Sequence, residues 1–285
     1  MILSTLAENL RCPFCFSAGT GSRPLSPAGA LTLGCDAGHR FDVNKRGYIS
    51  LLPPRTRVVG DSVAMLTARS RFFDTGWYAP IASAVAAAGA AALEAVPGRR
   101  RVAEVGCGTG YYLDALVSVL PNALPLAADL SPDAVRMAVS AVQDAVGVVL
   151  DVWQPLPLAD ASQDLLLSVF APRNLPEFAR VLADDGCLIA VVPTGDHLRE
   201  ARDAGLALDV PGGKADDLVR SASALFVETA RAEVTFRMEL DRETLALLIG
   251  MGPSAHHSRD GGGSGADVPA SVTASVTVVT LRRRG

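Results

Sequence analysis

Apolar positions follow three different rhythms along the chain. The first 53 residues are short segments broken by Pro, Gly and Cys, too interrupted for long helices. From Asp61 to Ala92 the spacing is helical, with one break near Gly76. From Arg101 onward, buried-looking runs rich in Val, Leu and Ala alternate with helical stretches. Arg101–Cys107, Leu124–Leu130, Val148–Val152, Leu165–Phe170 and Cys187–Pro193 read as strands; Tyr111–Leu120, Pro132–Val142 and Pro176–Leu182 read as helices. Continuous apolar strands separated by helices predict an α/β fold with a parallel sheet covered on both faces. Beyond Gly195 the rhythm weakens. Val234–Leu240 and Ser271–Leu281 still read as strands, the second alternating as an antiparallel edge does, and Gly252–Pro269 reads as a mobile loop. Three regions result: a front module over residues 1–53, a helical connector over 54–98 and a sheet domain over 99–285.

Composition narrows the class. In a chain of 285 residues, 49% hydrophobic and 20% charged positions with a mean hydropathy of +0.28 exclude intrinsic disorder. The most apolar run, Ala79–Val96, carries Ser83, Gly89 and Glu94, which argues against a membrane span. The N-terminus lacks the basic region and long apolar core of a signal peptide. Five cysteines are an odd number and too few for a disulfide scaffold, so the expectation is a soluble cytoplasmic protein using cysteine for metal or packing. Net charge is −4, but unevenly spread. Residues 1–76 carry nine basic and five acidic side chains, the remainder 17 and 25. A basic front on an acidic body keeps a nucleic-acid partner in play.

The front module holds a specific cluster. Cys12-Pro-Phe-Cys15 and Cys35-Asp-Ala-Gly-His39 are separated by nineteen residues. Two thiolates on a tight turn, completed by a second pair across a hairpin, can hold one Zn2+ tetrahedrally. Three thiolates and an imidazole leave no position for water, so the zinc is structural and supplies the folding energy of a small module separable from the sheet. The alternative, buried cysteines beside a surface histidine, does not explain three of five cysteines and a histidine within 28 residues.

The sheet domain holds the second. Glu104-Val-Gly106-Cys-Gly108-Thr109-Gly110 follows a strand and opens a helix, where glycines allow a sharp turn and close approach to a ligand. The spacing G-x-G-x-G with Glu104 before it resembles motif I of class I methyltransferases, which use S-adenosylmethionine on a Rossmann-like fold. That resemblance implies an acid at the end of the next strand for the ribose hydroxyls, where Asp129 stands, and one near the adenine, where Asp151 fits. The chain as a whole resembles the bacterial 23S rRNA guanine-N1 methyltransferases of the RlmA type, including their macrolide-resistance members. The matching segments are the cysteine cluster with Phe41-Asp42, Gly47-Tyr48 to Pro53, Gly60-Asp61-Ser62, Ala68-Arg69 to Tyr78, the glycine loop with Tyr111-Tyr112, Phe170-Ala-Pro172, and Pro193 with His197-Leu198. The resemblance implies cofactor contacts from Tyr78, Gly108, Thr109 and His197, the histidine reaching the cofactor's amino-acid end. It also implies a homodimer with RNA between the zinc modules. The segment Met251–His257 departs from the family pattern.

The chemistry expected is methylation of N1 of one guanine in a domain II hairpin loop of 23S rRNA, with tylosin-type resistance as a consequence. The N1 proton must leave; Asp61 can take it or cap the following helix, and no catalytic base is assigned. Arg173 can meet guanine O6, a phosphate or an acidic neighbour. Arg40, Lys45, Arg46, Arg55 and Arg57 are the expected RNA contacts. The competing reading is a small-molecule methyltransferase whose zinc module is purely structural.

Overall fold

The structure is a computed structural model that describes residues 2–19, 21–53, 56, 60–252 and 269–284. Arg55, Arg57 and the loop expected over 252–269, apart from its two ends, fall outside the described residues. The front module opens with helix α1 (Ile2–Asn9), whose interrupted surroundings hid it from the pattern, and α2 (Pro13–Ser17), started by Pro13 at a position whose N–H is spare. Strands β1 (Ser26–Gly29), β2 (Thr32–Gly34) and β3 (Arg40–Asp42) form a small antiparallel sheet. Strand β4 (Tyr48–Ser50) leaves that sheet for another. Two connector helices follow. Ser62, not Asp61, caps α3 (Val63–Asp74) by accepting from the Met65 N–H; α4 (Ala79–Ala92) comes next.

From here strands and helices alternate as expected: β5 (Arg100–Val105), α5 (Tyr111–Val117), β6 (Ala123–Asp129), α6 (Pro132–Ala141), β7 (Val146–Val149), β8 (Gln163–Val169), α7 (Leu175–Val181) and β9 (Leu182–Pro193). The tail adds α8 (Arg199–Asp203), α9 (Lys214–Ala222), β10 (Phe226–Glu239), α10 (Arg242–Gly250) and β11 (Ser271–Arg283). The main sheet has eight strands in the order β10-β11-β9-β8-β5-β6-β7-β4. Strands β4 to β9 in it run parallel, whereas β11 is antiparallel to both β9 and β10. One expectation fails here. Ser271–Leu281 is not an edge strand: it is buried between β9 and a long β10, which is the edge. Its alternating polar positions are consumed inside, where Ser275 Oγ lies 2.7 Å from Thr194 Oγ1 and 2.8 Å from Thr235 Oγ1.

Successive strand residues point to opposite faces and fill two cores. Ala103, Val105, Leu126, Ala128, Val148 and Leu166 pack with Leu6, Leu10, Leu33, Phe41 and Ile49 of the front module. Val102, Ala127, Leu165, Leu167 and Ile189 pack with Phe72, Ile81, Val85 and Leu113 of the helices opposite. The front module is therefore part of one covering layer of the sheet and shares its core. It is welded there by Arg11, whose side chain is only 1% exposed. Its guanidinium lies 3.3 Å over the Phe16 ring, donates to the Leu156 carbonyl at 3.0 Å, and reaches Asp160 and Glu177 at 3.3 Å each. No helix among the described residues is long and apolar enough to cross a membrane.

Candidate active site and metal centre

The metal ligands converge. Cys12 and Cys15 flank the start of α2, while Cys35 and His39 bracket the turn between β2 and β3. His39 Nδ1 lies 3.4, 3.4 and 3.3 Å from the sulfurs of Cys12, Cys15 and Cys35, and the Cys15 and Cys35 sulfurs are 3.8 Å apart. A tetrahedral zinc with 2.3 Å Zn–S bonds sets its sulfurs about 3.8 Å apart, so this donor set fits the ion. Arg40 donates to the carbonyls of Cys35 and His39, bracing the metal loop with the side chain expected to reach RNA. Lys45 and Arg46 are exposed in the turn before β4.

A cavity of about 720 Å3 opens over the carboxyl ends of the parallel strands. This is where β5 is flanked by β6 on one side and β8 on the other, the switch point at which such sheets bind ligands. Tyr78, Glu104, Gly106, Gly108, Thr109, Asp129, Arg173 and His197 all line it. Gly110 does not: its place is against α6, where a Cβ would come within 2.9 Å of Ala138 Cα. Gly108, at φ +51°, presents bare backbone to the cavity, and a Cβ there would sit 2.9 Å from the Arg69 guanidinium. By the parallel register, the Lys45–Arg46 turn lies at the opposite end of the sheet from the cavity.

Each acid is held differently. Asp129 accepts from the N–H groups of Gly108 at 3.0 Å and Ser131 at 2.9 Å, tying the end of β6 to the glycine loop. Asp151 accepts from the Trp153 N–H at 2.9 Å on the same rim. Glu104, 1% exposed, accepts from the Leu113 N–H at 3.1 Å, and burial pushes its carboxyl up to about 8. Asp61 neither caps a helix nor stands free: it pairs with Arg69 at 2.6 Å on the cavity wall.

The far side of the cavity is aromatic. Phe170 lies against Tyr78, Tyr112 and His197 at ring-centroid distances of 6.4, 6.4 and 5.7 Å, and Tyr78 lies 6.5 Å from His197. His197 Nδ1 accepts from the Ser275 N–H at 3.1 Å, which leaves the neutral ring's proton on Nε2; burial pushes its pKa down to about 4. Phe170 has φ +52°, a strained conformation for an aromatic residue, and is 40% exposed. Phe170 and Tyr112 lie within the segments that match the family pattern, but local spacing assigns neither a role. The Asp61–Arg69 pair was missed for want of any signal that residues 61 and 69 meet over residue 108. Arg173 lines the cavity without an ion-pair partner among the described residues, so its acidic-neighbour reading does not hold there.

A glycine loop with bare backbone, an acid at the end of the following strand and a buried hydroxyl without a partner among the described residues, that of Tyr112, together suit an adenosine cofactor with a charged tail. Fold and site define a class I methyltransferase using S-adenosylmethionine, carrying a structural zinc. Residues 102–186 match the family described as "Methyltransferase domain", and residues 10–57 the family "RlmA, N-terminal". The chain is 37% identical to the 23S rRNA (guanine(748)-N(1))-methyltransferase of Streptomyces fradiae, over 87% of this chain and 86% of that one. It is 40% identical to a Micromonospora griseorubida protein named as a candidate 23S rRNA (guanine-N(1)-)-methyltransferase, over 89% and 88%. The chain belongs to the family of 23S rRNA (guanine-N(1)-)-methyltransferases.

Proposed function

We propose that this chain methylates N1 of one guanine in a domain II hairpin loop of 23S rRNA, near the macrolide site. The observation that carries the reading is the continuity of cofactor cavity and zinc module in one sheet, in a chain matched along both parts by the Streptomyces fradiae enzyme. S-adenosylmethionine supplies the electrophilic methyl group when bound. The chain's share of the chemistry is placement. Asp129 and the backbone at Gly108 and Thr109 hold the adenosine, and Tyr78 and His197 close the other end. Phe170 offers a ring face at the mouth on which an extruded base can stack. Arg173, half-buried there, meets guanine O6 or a flanking phosphate. With Nδ1 engaged by Ser275, His197 acts as a hydrogen-bond donor through Nε2 and not as the base for the N1 proton.

Lys45 and Arg46, at the opposite end of the sheet, serve the stem together with Arg40 or, in a homodimer, RNA held between two zinc modules. A methyl group on the Watson–Crick edge adds bulk beside the macrolide site, from which resistance to tylosin-type macrolides follows. The test is primer extension on ribosomal RNA from cells with and without the gene, because N1-methylguanine stops reverse transcriptase. One gene-dependent stop in the domain II hairpin is the expected result. Turnover on a small metabolite with no new stop in the RNA overturns the proposal.

A further inference from the structure

Four buried side-chain polar atoms have no hydrogen-bond partner among the described residues, and of the residues that own them only Tyr112 lines the cofactor cavity. The residue is 6% exposed, on the first turn of α5, and its ring is clamped by Phe73 and Tyr111 at centroid distances of 5.7 and 5.2 Å. A hydroxyl taken from water and left unpaired destabilises the chain, a cost that a bound partner removes. The clamped ring cannot swing the oxygen elsewhere to find one. Burial also keeps the phenol well above its ordinary pKa, so it stays a neutral donor.

The order of the strands says which part of the cofactor is near. Asp129 and Asp151 stand at the ends of β6 and β7, and the adenosine belongs on that side. Tyr112 follows β5, the Phe170 ring beside it follows β8, and His197, stacked on Phe170, follows β9. The remaining length of the cofactor therefore runs over β5 toward β8, ending in an ammonium and a carboxylate. A carboxylate brought into an apolar, aromatic-walled cavity needs hydrogen-bond donors. The ammonium has Glu104 as a natural partner on the same strand. Resting on the cofactor reading above, we propose that the Tyr112 hydroxyl donates a hydrogen bond to the carboxylate of the cofactor's amino-acid end.

Calorimetry on the full chain tests this with S-adenosylhomocysteine and with 5′-methylthioadenosine, which keeps the adenosine and thioether but lacks the amino-acid end. Tyr112→Phe removes only the oxygen and keeps the ring. The variant should bind S-adenosylhomocysteine about tenfold to a hundredfold more weakly, and methylthioadenosine as well as the wild type does. In the unliganded state it should unfold at the same temperature as the wild type or higher, since an unpaired hydroxyl has gone. Unchanged affinity for S-adenosylhomocysteine overturns the proposal, as does an equal loss for both ligands. Decarboxylated S-adenosylhomocysteine should bind variant and wild type alike; a loss with it as large as with the parent compound also overturns the assignment. Failure of the wild type to bind any of the three ligands would instead sink the cofactor reading, which keeps the two outcomes apart.

Discussion

Glu104 sits at the base of the cavity with its proton held by burial, and that has a measurable signature. Its carboxyl is at about 8 in the folded chain against an ordinary 4.5. Across that window the folded protein keeps a proton that the unfolded chain has released, so stability contributed by this group falls as pH rises from about 5 to 8. Glu104→Gln removes the titration. The unfolding temperature of the unliganded variant, relative to wild type, should therefore climb between pH 5 and pH 8, and parallel profiles would show that Glu104 does not titrate in this range. The same residue marks what a sequence can and cannot reveal. Glu104, Gly108 and Asp129 are adjacent to a recognisable loop or end a recognisable strand, so local spacing finds them. Arg69 and Tyr112 act at the cavity through contacts with residues 108 and 170, which no local pattern encodes.

Among the elements, strands β5 to β9 and the helices between them were legible because short apolar strand segments alternate with helical periodicity between breakers, whereas the three residues of β4 were too few to read. Strand β11 was legible as a strand but not in its position, since a Thr/Ser alternation facing internal hydroxyl partners looks identical to one facing water. Helix α1 was hidden because eight residues give barely two turns of periodicity. Its C-terminal neighbour Arg11 anchors the whole element, and Arg180 shares the work. Arg180 reaches Asp160 at 2.5 Å and Glu177 at 2.7 Å, and donates to the Leu156 carbonyl at 3.1 Å. Every acceptor of Arg11 thus has a second donor. Arg11→Met and Arg180→Met should each cost about 1–2 kcal/mol, and the double variant more than their sum, because only then does the Leu156 carbonyl lose both its donors and do Asp160 and Glu177 lose both their arginines. Urea midpoints for the four proteins of the cycle measure this directly, and simple additivity would refute the shared-acceptor account.

At the scale of the molecule, the metal centre and the sheet stand or fall together. Because Leu33, Phe41 and Ile49 share a core with β5, β6 and β7, loss of zinc should loosen more than the ligand loop. Cys15→Ser is expected to lack zinc by elemental analysis and to unfold in one transition at a lower temperature than the wild type. Two separated transitions, with the sheet's unchanged, would restore the view of an independent module. The three residues of β4 have a consequence of another kind. By pairing Tyr48 to Gly147 and Ser50 to Val149, they occupy backbone groups along β7 that would otherwise lie open at the border of the parallel sheet. Such a border, flat and flanked by Val146, Val148 and Val149, is a template on which other chains can add strands. A chain beginning at Gly60 keeps every residue of the cavity yet bares both that border and the apolar face beneath it. Light scattering should find it growing into large aggregates where the full chain stays a small, fixed assembly, so that the zinc ribbon acts as a built-in guard against aggregation.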